Sequence, residues 1–361
     1  MFRNIFFKKF ILPGLIFQSL VIGGGYGTGR ELVEFFLLLG PKSGLYGMIV
    51  SLFIWCIVLS FTFDLSRKFH AYDYRSFLKK VLGKSWILYE ITYLIGLVLV
   101  ISVLASASGN LLKEAFNILS IYGILLMILV IGIFSYFGSK VIMKFLSYWS
   151  IALYFVFLIL VISIGSIFSE NIISNFNISD NNSNWIINGF KYAAYNVGIV
   201  PAMLFCLKDL KTRKEAMISG VIAAFLAMIP GFMIYFSLLS HYPEINSEII
   251  PINFLFNKLG SDSFKIIFQV ILFGTFVETG LGLIHGFNER IASWLKEKKV
   301  ILSGVNRFII SSFVMIICIF FAEQFGLISL IAEGYGTLTW AYWIIFVIPV
   351  IFIGVKKIIL K

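Results

Sequence analysis

The stretch Gly23-Gly24-Gly25-Tyr26-Gly27-Thr28-Gly29 interrupts an apolar run that otherwise extends over residues 11–40. Roughly 20 apolar residues in a helix cross a hydrocarbon core of about 30 Å. Five glycines in seven positions make a helix improbable here, because each costs roughly 1 kcal/mol relative to Ala. Non-helical backbone at membrane depth is tolerated only where it is buried in protein or lines a cavity. The freed amides and carbonyls then need partners, such as a solute, an ion or ordered water.

The same kind of interruption recurs once. Asn196-Val197-Gly198-Ile199-Val200-Pro201 falls inside the run 185–206. Pro201 has no amide hydrogen and disfavours helix at Val200, and it is tolerated in the first turn of a resumed helix. Each interruption is followed by a long unbroken span. The apolar runs cover 11–40, 44–69, 86–112, 121–137, 141–168, 185–206, 217–239, 264–287, 302–321 and 327–355. The expected fold is therefore an all-α integral membrane protein of about ten transmembrane helices, with the first and sixth broken. Runs one to five and six to ten correspond in order and in the placing of their breaks, including Phe137-Gly138 and Phe325-Gly326 before the fifth and tenth. Five is odd, so the second copy starts on the opposite side. The expected organisation is one membrane domain over 1–361, holding inverted repeats of about 5–169 and 185–356.

Composition agrees: 60% of residues are hydrophobic and 13% charged, against roughly 25% charged in soluble domains. The net charge of +11 does not point to nucleic acid, because the basic residues form small clusters between apolar runs, as topology signals do. With the N-terminus inside, 23 of the 29 Lys and Arg fall on inner segments and five on outer ones. Both termini are expected in the cytoplasm, and the cell membrane of a bacterium is the expected location. Arg3, Lys8 and Lys9 before the first run look like the start of a signal peptide, but no small-x-small cleavage site follows. The run is read as an uncleaved span. The acidic and Asn-rich loop 170–184 has no Lys or Arg and fits the outer side, while the basic segment 72–84 fits the inner surface.

Two discontinuous helices at matching places in inverted halves point to a transporter site between them. The candidate solute-binding residues are Gly23, Gly24, Gly25, Tyr26, Gly27 and Thr28 from the first break, with Tyr195, Asn196, Gly198 and Pro201 from the sixth run. Half-helix N-termini suit a carboxylate, while half-helix C-termini and freed carbonyls suit a cation or an ammonium. A zwitterionic amino acid satisfies both, and an amine or a small anion satisfies one. Thr28-Gly29-Arg30-Glu31 reads as a capping box at the helix restart, which gives Glu31 a structural role. Arg30 and Glu34, one turn apart, are candidate gate residues or a solvated pair. Glu278 stands mid-span in the eighth run, where a carboxylate is costly and a functional candidate. It is read as a proton carrier or as a protonated structural group. Thr275 and Thr279 are the alternative, as sodium ligands. No cofactor beyond a coupling H+ or Na+ is expected.

Asp64 with Arg67 and Lys68, and Glu90, read as interfacial ion pairs. Lys144 reads as a snorkelling anchor. With His70, His241 and His285 as the only histidines, and Cys56, Cys206 and Cys318 in or beside apolar runs, no metal site is expected. No Ser–His pair or paired carboxylates suggest an enzyme. Gly334-Tyr335-Gly336-Thr337 repeats the letters of Gly25-Tyr26-Gly27-Thr28 and shares Gly-Tyr-Gly with potassium filters. A filter, however, lies in a loop between spans, and the first copy lies inside one. The second copy is read as a bend at the start of the tenth helix.

The stretch GGGYGTGRELVEFFLLLGPKSG, residues 23–44, resembles the YkvI-type bacterial membrane proteins. The Glu278-Thr279-Gly280 and Gly334-Tyr335-Gly336 elements are similar too. The resemblance implies a permease group remotely related to the amino acid–polyamine–organocation superfamily, and a LeuT-like five-plus-five inverted repeat. It implies a small-molecule solute as partner and names none. A solute receptor on the same fold, or an ion channel, are the rival readings.

Overall fold

The computed structural model describes residues 4–180, 182–260, 262–324 and 327–359. Arg3, Lys361 and the expected break at Phe325-Gly326 lie outside the described residues.

The described residues form helices throughout, with the breaks where glycine and proline were expected to place them. The first span is α1 (Leu12–Val21), α2 (Gly24–Gly27) and α3 (Arg30–Phe35), then a 3₁₀ turn, Leu37–Leu39. Next come α4 (Pro41–Phe69), the short basic α5 (Tyr74–Leu82), α6 (Trp86–Phe116), α7 (Ser120–Ser135) and α8 (Ser139–Phe176). The sixth span is α9 (Trp185–Gly198) followed by the 3₁₀ segment Val200–Cys206. Then follow α10 (Arg213–Leu239), α11 (Pro251–Leu259), α12 (Asp262–Glu297) and α13 (Gly304–Gln324). The last span is assembled from α14 (Leu327–Ser329), α15 (Tyr335–Tyr342) and α16 (Ile348–Ile359), joined by π-helical turns at Leu330–Gly334 and Trp343–Val347.

Six of the described helices are long and apolar enough, by length and composition, to cross a membrane. Ser120–Ser135 and Gly304–Phe320 are shorter apolar helices. The first and sixth spans fail the length test only because they are broken. Span starts and stops are written locally. Pro41 opens α4, and His70 closes it in the left-handed region. Thr212 and Glu215 form a full capping box on α10. The expected outer loop 170–184 is shorter than read, since α8 runs on to Phe176; Asp180 beyond it accepts from the Lys42 and Ser43 amides at 2.7 and 3.1 Å, satisfying orphan donors at the start of α4.

Burial orders the spans. Every residue of α1 and α2 is buried, as is the second half of α9. In α7 and α8, by contrast, Leu125, Leu129, Ile133, Phe155, Ile159 and Ile162 are exposed. In water such a surface would drive aggregation; against lipid tails it is the expected outer face. The interrupted helices thus lie in the core together with the middle of α12, while α7 and α8 turn apolar faces outward.

Candidate functional site

The first interruption is not a continuous unwound loop. Gly24–Gly27 forms one helical turn, contrary to the expectation of non-helical backbone over 23–29. The chain breaks on either side of it, at Ile22-Gly23 and at Thr28-Gly29. A single turn needs few favourable propensities when its outer surface is packed: Gly24 lies against Val103 and the Leu104 backbone of α6, where a Cβ would crowd at 3.1–3.2 Å. Gly29 has φ of +83°, a left-handed conformation that favours glycine.

The hydrogen bonds of the break follow. The Gly23 amide turns to the Val21 carbonyl at 2.9 Å, which frees the Ser19 carbonyl. The Thr279 hydroxyl reaches in from α12 to the Ser19 and Ile22 carbonyls, at 2.7 and 2.9 Å. One hydroxyl hydrogen faces two carbonyl acceptors, so three oxygens converge at the end of α1. Thr275 does not join them. Its hydroxyl bonds back to the Ile271 carbonyl at 2.8 Å, and only its methyl approaches Gly27.

The expected capping box is absent. Gly29, not Thr28, is the N-cap of α3, and no side chain caps it. The Thr28 hydroxyl bonds to the Gly24 and Gly25 carbonyls at 2.6 and 2.9 Å. Glu31 is released from capping and folds back into the break. Its carboxylate lies against Gly25, where any Cβ would overlap it. The Tyr195 hydroxyl donates to its other oxygen. This bond joins the first and sixth spans, and Glu31 is 3% exposed.

The remaining candidates divide. Tyr26 is buried, with its hydroxyl on the Ala227 carbonyl of α10 at 2.9 Å. Asn196 donates to the Tyr192 carbonyl of its own helix at 2.9 Å. Gly198 faces away from the first break: the Tyr342 ring fills the space a Cβ would need, and the Tyr89 hydroxyl donates to its carbonyl at 2.7 Å. Pro201 sits in the first turn of the resumed segment, as expected, but that segment is 3₁₀ rather than α. It packs on α12, where Gly286 makes room for Ala202.

Glu278 is fully buried and points toward α8, away from the glycine run. The Ser150 hydroxyl lies 2.7 Å from one of its oxygens and 3.1 Å from the Leu15 carbonyl, and the other Glu278 oxygen has no partner. Arg30 and Glu34 pair as expected, but not in solvent: the Arg30 side chain is 5% exposed. It also donates to the Asn246 and Glu248 carbonyls at 2.7 and 2.9 Å, clamping the segment before α11 over the break. Asp64 pairs with Arg67, as read, and with Arg213 rather than Lys68. Glu90 pairs with Arg290. His285 is packed against the Phe205 ring at 4.8 Å. The cysteines are free, and among the described residues no cluster could hold a metal ion.

Sequence reasoning missed Tyr192 and Tyr335. The Tyr335 ring stacks on Tyr195 at 4.7 Å, and Tyr192 meets Tyr195 edge-on at 5.5 Å. The repeated Gly-Tyr-Gly was the available signal for Tyr335; nothing local marks Tyr192.

An all-helical membrane protein with a LeuT-like fold, its first and sixth spans broken, is the class these features define. The chain is similar to the uncharacterized membrane protein YkvI of Bacillus subtilis (strain 168), at 24% identity over 293 residues, covering 78% of this chain and 81% of that one. No family model matches. Among solved structures it resembles a substrate-bound, outward-open Na+-coupled sialic acid symporter, with a TM-score of 0.65 at 13% identity over 91% of this chain and 74% of that one. It also resembles MhsT in complex with L-phenylalanine, with a TM-score of 0.56 at 14% identity over 97% of both chains. A third likeness is to Mhp1, a nucleobase-cation-symport-1 family transporter, with a TM-score of 0.58 at 14% identity over 90% of this chain and 74% of that one. The motif-based resemblance and the LeuT-like fold expectation both hold.

Proposed function

We propose that this chain is a secondary active transporter of a small amino acid, amine or related solute, alternating access around its two interruptions. The observation that carries the reading is the join between the broken spans: Tyr195 of the sixth meets Glu31 beside Gly25 of the first. Polar groups freed by breaks in buried helices are what a transporter site needs. The likeness to cation-coupled transporters supports the reading through the fold.

In this reading the solute sits against Gly23–Thr28 and under Tyr195, and Arg30 with Glu34 closes the outer side. Two coupling routes remain. Glu278 carries a proton in one. Ser150 has one hydrogen for two acceptors, so a protonated Glu278 donating to Ser150, and Ser150 to Leu15, satisfies both contacts. In the other, the Ser19 and Ile22 carbonyls with the Thr279 hydroxyl hold sodium, whose ligands are oxygens. Residues 5–169 and 185–356 are read as the inverted halves, with both termini in the cytoplasm of a bacterium.

The test is uptake of labelled amino acids and amines into proteoliposomes, under a sodium gradient and separately under a pH gradient. Saturable uptake is expected, and Gly25→Leu abolishes it while still inserting, because its side chain displaces Glu31. Normal uptake by that variant would sink the site assignment. Binding without flux would favour the receptor reading. Loss of the sodium response in Thr279→Ala, or of the pH response in Glu278→Gln, chooses the coupling route.

A further inference from the structure

The expectation that the first break offers its amides to a solute carboxylate meets an obstacle. That place is already taken by a carboxylate of the protein. Glu31 lies against Gly25 and accepts from Tyr195. Among the described residues no Lys or Arg pairs with it; the adjacent Arg30 is spent on Glu34 and on the Asn246 and Glu248 carbonyls. A carboxylate buried without a counter-ion is costly. A solute carboxylate placed beside it would add like-charge repulsion at short range and low dielectric.

The surroundings suit the opposite charge. Tyr195 touches Glu31 directly, and Tyr192 and Tyr335 both pack on Tyr195. Phe35 closes on Tyr195 at 5.5 Å, and Tyr335 stacks on it at 4.7 Å. Aromatic faces around a carboxylate attract an ammonium group through their ring quadrupoles. One polar atom in this group is left over: the Tyr192 hydroxyl is fully buried and has no hydrogen-bond partner. A buried, unpartnered hydroxyl in the same aromatic group as a carboxylate without a counter-ion is what a donor-bearing ligand would complete.

We propose that Glu31 is the counter-ion of the solute, and that the solute is an organic cation, a primary amine with no carboxylate beside the ammonium. The proposal rests on the transporter-site reading above and narrows its substrate class. It also gives the second Gly-Tyr-Gly element a role, since Tyr335 then forms one wall of the ammonium site.

The experiment is equilibrium binding to the purified full chain in detergent at pH 7.5, with two matched series. One is isoamylamine, L-leucine and 4-methylpentanoate; the other is 2-phenylethylamine, L-phenylalanine and 3-phenylpropionate. In at least one series the amine should bind about tenfold or more tighter than its amino acid, with the carboxylate weakest. Glu31→Gln should weaken amine binding by about tenfold or more. Tyr192→Phe should weaken it roughly threefold with an unchanged melting temperature, since the lost hydroxyl has no partner in the ligand-free protein. An amino acid or carboxylate binding wild type as tightly as its amine overturns the proposal. So does full amine affinity in a monodisperse Glu31→Gln protein. If that variant does not fold, the wild-type ranking and Tyr192→Phe decide. Amino-acid binding that Gly25→Leu abolishes would remove this inference and leave the transporter site standing. No binding by any of the six would remove both.

Discussion

The two interrupted helices look alike in sequence and do different work. In the first, the break is lined with glycine and meets polar side chains: Thr279 of α12 on the Ser19 and Ile22 carbonyls, and Glu31 of α3 folded back against Gly25. In the sixth, the glycine makes room for a ring. Gly198 is covered by Tyr342, and Tyr89 ties its carbonyl. The first break presents polar chemistry; the second anchors an aromatic wall. Breaks that match in sequence therefore need not share their chemistry.

The sharpest way to break this comparison is to add one methyl to each break. Gly25→Ala pushes against the far end of a flexible Glu31 side chain. It should leave melting nearly unchanged and reduce solute binding by an order of magnitude or more, about 1.4 kcal/mol. Gly198→Ala pushes against a ring wedged in the core. It should lower stability by about 1–3 kcal/mol, as overpacking does. Thermal melts of both variants, with and without ligand, check this. Equal destabilisation by the two would mean that the breaks are not specialised.

A smaller effect is expected from Tyr89→Phe. The Tyr89 hydroxyl donates to the Gly198 carbonyl at 2.7 Å, at full burial. Removing it leaves that carbonyl without this donor and should cost about 1–3 kcal/mol, toward the lower end if the 3₁₀ segment relaxes. The change should appear in melting and not in the preference among solutes. A changed solute ranking would place the second break in the chemistry after all.

The sequence made the spans legible because lipid imposes long apolar runs, and the breaks because glycine and proline punctuate them. Each expected run has a helix or helix assembly near its stated bounds. Ion pairing was legible where it is local, as in the Asp64–Arg67 pair one turn apart. Local reading failed at Glu31. Thr28-Gly29-Arg30-Glu31 has the letters of a capping box, but Glu31 prefers a partner 164 positions away. Nothing in a four-residue window encodes that. Thr275 failed for the opposite reason: its hydroxyl is satisfied on the preceding turn of its own helix, while Thr279, one turn on, reaches across. The helical turn Gly24–Gly27 shows tertiary packing overriding propensity, with α6 pressed against it.

The last contrast lies at the basic ends of the two spans. The start of the first span is tied down: Lys9 pairs with Glu215 at 2.7 Å, in the capping box of α10. The sixth span runs out into Lys208 and Asp209, and no ion pair among the described residues fixes either one there. Glu215 lies outside the apolar run. The Lys9 ammonium, followed by the Lys211 amide, holds its carboxyl at about 2. A carboxylate held below its unfolded value, about 4.3, contributes stability above that value and loses it as pH falls toward 2. Both side chains keep part of their surface in solvent, 17% and 23%, and screening there limits the pair to about 1 kcal/mol. Lys9→Met should therefore lower the melting temperature slightly at pH 6, and the gap from wild type should close as pH falls toward 2.5. High salt should close it as well. A gap that is the same at both pH values would mean that the Lys9–Glu215 charge pair does not set it, and that the first span is no more firmly tied by charge than the sixth.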